Sequence, residues 1–168
     1  NDNTPALAKA LADAGASIIF IGEAESWHPY PHQAALRAIP DVDLLPMDVT
    51  DTASVHELCG EIGGKTDILI NNARFVRPGG ILDRSDVGFA REEMEVNYFG
   101  LLRLAQAFGP AMQGRGADGD NSAVAWVNIL SVNAWSNSPD YGLFSASSAA
   151  ALSLSQNLRA DLWDGGVR

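Results

Sequence analysis

The sequence predicts an α/β domain built on a parallel sheet, and three observations carry that expectation. Short apolar runs, SIIFIG (17–22), DLLPM (43–47), TDILIN (66–71) and AVAWVNIL (123–130), alternate along the chain with stretches of helical character. These runs are continuously apolar rather than alternating, as strands covered on both faces are. The last of them delivers Ser131 to a strand's carboxyl end, immediately before a long helix of small and apolar residues. In an open α/β sheet that is where a ligand sits.

Bulk properties narrow the class. With 168 residues, 46% of them hydrophobic, the chain suffices for one packed domain spanning 1–168 and not for two. A formal net charge of -10 argues against nucleic acid and anionic membrane surfaces, which need clustered Lys and Arg. A single cysteine, Cys59, rules out a disulfide framework and suits a reducing, cytoplasmic setting. No apolar run approaches the length of a membrane span. The chain opens on Asn1 rather than Met, so a native start is expected upstream.

In chain order, Asn3 or Thr4 can cap a helix that enters at Pro5 and runs through ALAKALADAGA, with Gly15 as its stop. SIIFIG follows as a buried strand. The segment AESWHPYPHQAAL (24–36) carries His28 and His32 at i, i+4, but Pro29 and Pro31 keep them off a common helix face. No metal site is expected there. DLLPMDVTD (43–51) ends a strand and hands over to a helix, TASVHELCGEIG, capped by Thr50 or Asp51. His56 and Cys59 on that helix read as a surface and a core residue. TDILINNAR (66–74) is the next strand and its exit. Residues 91–113 form a long helix that is apolar on more than one side, and GRGADGDNS (114–122) is the loop leading back to the sheet. The helix 144–163 follows the last strand.

Several stations along this order resemble the classical short-chain dehydrogenase/reductase family. Asp48-Val49 matches the pair that many members place against the adenine ring. Asn71-Asn72-Ala73 matches the start of the Asn-Asn-Ala-Gly motif, with Arg74 where the glycine belongs. Asn97 matches the asparagine that holds a proton-relay water. Ser131 matches the serine after the fifth strand, and FSASSAA (144–150) matches the Tyr-Ser-Ala-Ser-Lys-Ala-Ala run almost letter for letter.

The resemblance implies a Rossmann-like doubly wound sheet, incomplete here because the family's first, sixth and seventh strands fall outside this chain. Strands 17–22 and 66–71 would then flank an open seam. It also implies a degenerate site. Phe144 stands thirteen residues after Ser131, where the family has its tyrosine, and Ser148 stands in place of the lysine that lowers the tyrosine's pKa. Asp2, Asn3 and Thr4 occupy the end of the family's glycine-rich turn, where helix capping is the simpler reading of them. Asn71 has a structural alternative too, as a buried asparagine that stabilises the neighbouring strand.

The leading expectation is therefore a non-catalytic subunit that retains Ser131, Asn97, Asp48, Val49, Asn71, Asn72 and Ala73 without using them and holds no cofactor. It would pair with itself or with an active relative through helices 91–113 and 144–163. The apolar residues that carry that expectation are Leu101, Leu102, Leu104, Ala105 and Phe108 on one helix, and Ala149, Ala150, Leu152, Leu154 and Leu158 on the other. The alternative is an NAD-dependent oxidoreductase acting on an alcohol or ketone, with Tyr141 in the role of Phe144. Glu23 would then disfavour the 2′-phosphate of NADP, unless it is only a solvated loop carboxylate.

Overall fold

The structure, a computed structural model, describes residues 3–24, 32–83, 86–117 and 124–168. Asp2, His28, Pro29 and Pro31 lie outside them. The chain divides into two units, Asn1–Asp48 and Val49–Arg168.

In the first unit, α1 (Thr4–Asp13) starts with Pro in its first turn, and its only fully buried side chain is Ala8. Asn3 occupies the cap position without a side-chain cap bond, which corrects the capping expectation for that residue. Gly15 adopts φ +89 just beyond the helix, a conformation open to glycine at little cost. Strand β1 (Ile19–Glu23) pairs in parallel with β2 (Val42–Pro46), Ile19 opposite Val42 and Glu23 opposite Pro46. The strand begins two residues later than its apolar run and takes in Glu23, so this carboxylate closes a strand rather than sitting in a loop. Between the strands, a short helix α2 (Gln33–Arg37) buries Leu36 completely. The prolines that precede this helix obscure it in the sequence.

In the second unit, Asp51 caps α3 (Thr52–Ile62) as expected, its side chain accepting the Ala53 N–H at 2.9 Å. The helix buries Val55, Leu58 and Ile62, each contributing roughly 1.5–3 kcal/mol of apolar burial. His56 is exposed and Cys59 half-buried. Strand β3 (Ile68–Asn71) pairs in parallel with β4 (Ala125–Asn128). The described strands thus form a β1–β2 sheet in the first unit and a separate β3–β4 sheet in the second.

The long helix differs from its expectation. It comprises α4 (Gly88–Met94), a π-helical turn (Glu95–Gly100) and α5 (Leu101–Ala117), so it starts earlier, ends later and changes hydrogen-bond register at Asn97. A π turn of this kind re-aims a side chain within an otherwise regular helix. The last helix, α6 (Gly142–Trp163), packs beside α5 over a core of Met112, Val124, Leu158, Leu162 and Val167. Arg168 donates its N–H to Val124 O at 3.0 Å and accepts the Trp126 N–H at 2.8 Å, which ties it alongside β4.

Much of the apolar surface that suggested a partner is used inside the chain. Leu101, Leu104, Phe108 and Leu158 are buried; Leu102, Ala105, Ala150, Leu152 and Leu154 are half-buried, and Ala149 is exposed.

Candidate functional site

The carboxyl ends of the strands carry the sequence-selected residues, in two separate groups. In the first unit, Glu23 ends β1 half-buried. Its Oε2 accepts from Gln33 Nε2 at 3.2 Å, while its Oε1 is buried and has no hydrogen-bond partner among the described residues. Asp48 is half-buried just beyond β2.

In the second unit, Asn71 ends β3. Its side chain folds forward, Oδ1 accepting the Ala73 N–H at 3.2 Å. It therefore does not brace the neighbouring strand; the backbone does so instead, Asn71 O accepting the Ile129 N–H at 3.0 Å. Asn72 is half-buried, and Ala73 and Arg74 are exposed, so Arg74 extends outward in the glycine's position.

Asn97 is the best-connected of these residues. Its Oδ1 accepts the Phe75 N–H at 2.8 Å, and its Nδ2 donates to Phe75 O at 2.8 Å and to Ser147 Oγ at 2.9 Å. Ser147 Oγ in turn donates to Phe144 O at 3.1 Å. A single buried amide thus ties the segment after β3 to α6. Glu93, one helical turn earlier and fully buried, accepts the Arg77 N–H at 2.8 Å, and Gly79 donates to Asp140 O at 2.7 Å. Phe75, Arg77 and Gly79 are held at every second N–H, as an edge strand would be. The Arg77 guanidinium also lies over the Phe75 and Phe89 rings, 5.1 and 4.3 Å from their centroids, and pairs with Glu92 at 3.1 Å.

Ser131 lies where the sequence puts it, past β4, with Oγ accepting the Asn133 N–H at 3.2 Å. Phe144 is 4% exposed and Ser148 5% exposed, so both family positions are packed interior. Tyr141, immediately before α6, is half-buried, and its neighbour Ser145 accepts the Ser138 N–H at 3.3 Å. Beside this turn lies an open recess of about 640 Å³ lined by Ile81, Leu82, Asp83, Asn137, Ser138 and Ala149, among others. Sequence reading missed Glu93 and Ser147. Glu93 lies on a helix whose several apolar sides hide the one carboxylate that turns inward, whereas Ser147 could have been found as a small polar residue one helical turn past Phe144.

Together these features define a nucleotide-type α/β domain with its polar residues at the carboxyl ends of parallel strands. The sequence model of the short chain dehydrogenase family matches residues 5–168, and the chain belongs to that family of oxidoreductases. It is 36% identical over 140 residues to a short-chain dehydrogenase of Penicillium crustosum, covering 79% of this chain and 48% of that protein. It is 30% identical over 166 residues to a short chain dehydrogenase of Aspergillus terreus, covering 96% and 36%. A crystal structure of a short chain dehydrogenase from Burkholderia cenocepacia in complex with NADP superposes with a TM-score of 0.81 at 32% identity, covering 96% of this chain and 62% of that one. The chain spans about half or less of the length of these curated relatives. Among the described residues, no helix is long and apolar enough to cross a membrane.

Proposed function

We propose that this chain is part of an NAD-dependent oxidoreductase acting on an alcohol or ketone. The observation that carries the reading is the buried Oε1 of Glu23 at the end of β1, which has no partner among the described residues. A carboxylate at that place in a dinucleotide fold accepts from a ribose hydroxyl and repels a 2′-phosphate, and a buried acceptor without a partner is costly until a donor arrives. The residues present therefore fit the ribose end of NAD. By the family resemblance the Asp48-Val49 pair is the candidate for the base contact, and Asn71 to Ala73 separately match the family's nucleotide-binding Asn-Asn-Ala run. When bound, the nicotinamide supplies or takes the hydride.

The proton falls to this chain's own residues. Phe144 has none to give, so Tyr141 takes the role, donating to or accepting from the substrate oxygen, with Ser131 as a hydrogen-bonding partner to that oxygen. The open recess near the start of α6, lined by both apolar and polar side chains, is the candidate place for the substrate. Cys59, whose thiol donates to Ala107 O at 3.1 Å, takes no part and suits a reducing cytoplasmic setting.

One observation favours a second reading, a non-catalytic subunit. Phe144 and Ser148 are buried, so the family's acid and its cation are replaced by packing. Association with itself or an active relative through α4–α5 and α6 would then be the function.

Titration with NADH and NADPH followed by a carbonyl panel separates the two. The first reading expects saturable NADH binding tighter than about 1 mM, weaker NADPH binding, and turnover that Tyr141→Phe lowers about 10²–10⁴-fold. Absence of NADH binding overturns it. An oligomer by light scattering together with no binding is the signature of the second reading, and a monomer that turns over substrate overturns that one.

A further inference from the structure

Arg103, on the third residue of α5, reaches three groups at once. Its Nη1 donates to Val49 O at 3.2 Å, its Nε donates to Thr52 Oγ1 at 3.1 Å, and its Nη2 pairs with Glu95 Oε1 at 2.5 Å. The first lies on the turn that leads into α3, the second is the first residue of α3, and the third lies on the π turn. A guanidinium presents its donors in a rigid planar fork, so three simultaneous bonds fix direction as well as distance.

A second contact acts on the same turn from a different residue. A Cβ added to Gly100 would stand 3.0 Å from Val49 Cγ2 and 3.1 Å from Val49 Cβ, so the missing side chain is what lets Val49 lie directly against the helix. Arg103 thus holds the Val49 carbonyl, while Gly100, three residues earlier on the same helix, leaves room for the Val49 side chain. Asp51 adds a local constraint through its cap on Ala53.

We infer that Arg103 is a positioning residue for the base-binding turn: it holds the backbone of residues 49–52, and through it the border against which the base of the nucleotide rests. This rests on the NAD reading above, because only a bound nucleotide gives the turn a base to meet. Arg103 itself touches no reacting atom. Its effect is on binding, since an ordered border spares the nucleotide the cost of ordering it.

The test uses the full chain and four variants, Arg103→Met, Arg103→Lys, Thr52→Val and Gly100→Ala, read by amide hydrogen exchange over residues 49–55, by NADH fluorescence titration and by thermal midpoint. Arg103→Met is expected to speed exchange at 49–52 and to weaken NADH about tenfold, with exchange elsewhere unchanged. Arg103→Lys keeps the charge and loses the fork, so it should resemble Arg103→Met rather than the unmodified chain. Thr52→Val, which removes one of the three bonds, and Gly100→Ala, which pushes Val49 outward, should shift both readouts in the same direction and keep the question open to measurement should Arg103→Met not fold. Native exchange at 49–52 in Arg103→Met overturns the inference, and so does faster exchange with unchanged NADH affinity. Failure of the unmodified chain to bind NADH strikes the NAD reading instead, and the exchange data then decide separately whether Arg103 holds the turn.

Discussion

The carboxyl end of β1 and the turn from β4 into α6 both carry polar residues at places where this fold meets ligands, yet they are finished differently. At the first, Glu23 keeps one carboxylate oxygen buried without a partner among the described residues. At the second, Ser131, Ser145 and Ser147 all spend hydroxyl oxygens on protein groups, and Phe144 and Ser148 are packed away. A buried acceptor left alone costs about 1–3 kcal/mol, so a donor that reached Glu23 Oε1 would be bound favourably. The difference teaches that the end of β1 keeps an acceptor in reserve, as the NAD reading proposed above requires, whereas the family's acid–base positions are interior.

The largest test of that contrast concerns Asn97. If it serves architecture, Asn97→Leu should destabilise the chain by about 3–5 kcal/mol, because it strands the Phe75 N–H and C=O and loses the Ser147 bond together. Urea unfolding measures this through the midpoint. A loss below about 1 kcal/mol would mean that water or a neighbour replaces the amide, and the station would then be free for a ligand role.

Phe144→Tyr comes next. At a position only 4% exposed, a new hydroxyl needs a partner, and lacking one it should cost about 1–3 kcal/mol. A neutral substitution would break the comparison, since it would reveal an acceptor or a water path waiting at the family's tyrosine position.

How far the sequence reveals these arrangements depends on the kind of interaction. The four strands and a cap at Thr50 or Asp51 were readable from apolar runs and turn residues, because both signals are local, whereas the order of the strands came from the family resemblance. Helix α2 was hidden behind Pro29 and Pro31, and the π turn left no trace in a pattern that is apolar on several sides. For the site, the family stations told which residues to examine but not what their side chains do. Asn97 and Asn71 read alike as retained asparagines. One bridges two elements across a buried contact and the other only turns back on its own backbone, a distinction set by which groups lie within hydrogen-bond reach.

The smallest expected effect lies away from both ends, at Cys59, and it serves as the control. Burial pushes its thiol above the usual cysteine value, because a thiolate there would lose solvation. The folded chain therefore favours the neutral thiol. The sign follows from linkage: a raised folded value makes this contribution fully present below the unfolded thiol's value of about 8.5, and it is lost as pH rises through the folded value. Cys59→Ala removes both the titration and the thiol bond to Ala107 O, at a cost of about 1 kcal/mol at pH 7. Urea midpoints at pH 7 and pH 10 should show the unmodified chain losing its advantage over the variant at the higher pH, while alkylation of the native thiol stays slow at pH 7. A gap that widens with pH would show that the thiolate is the favoured form. The view that Cys59 contributes only packing would then fall.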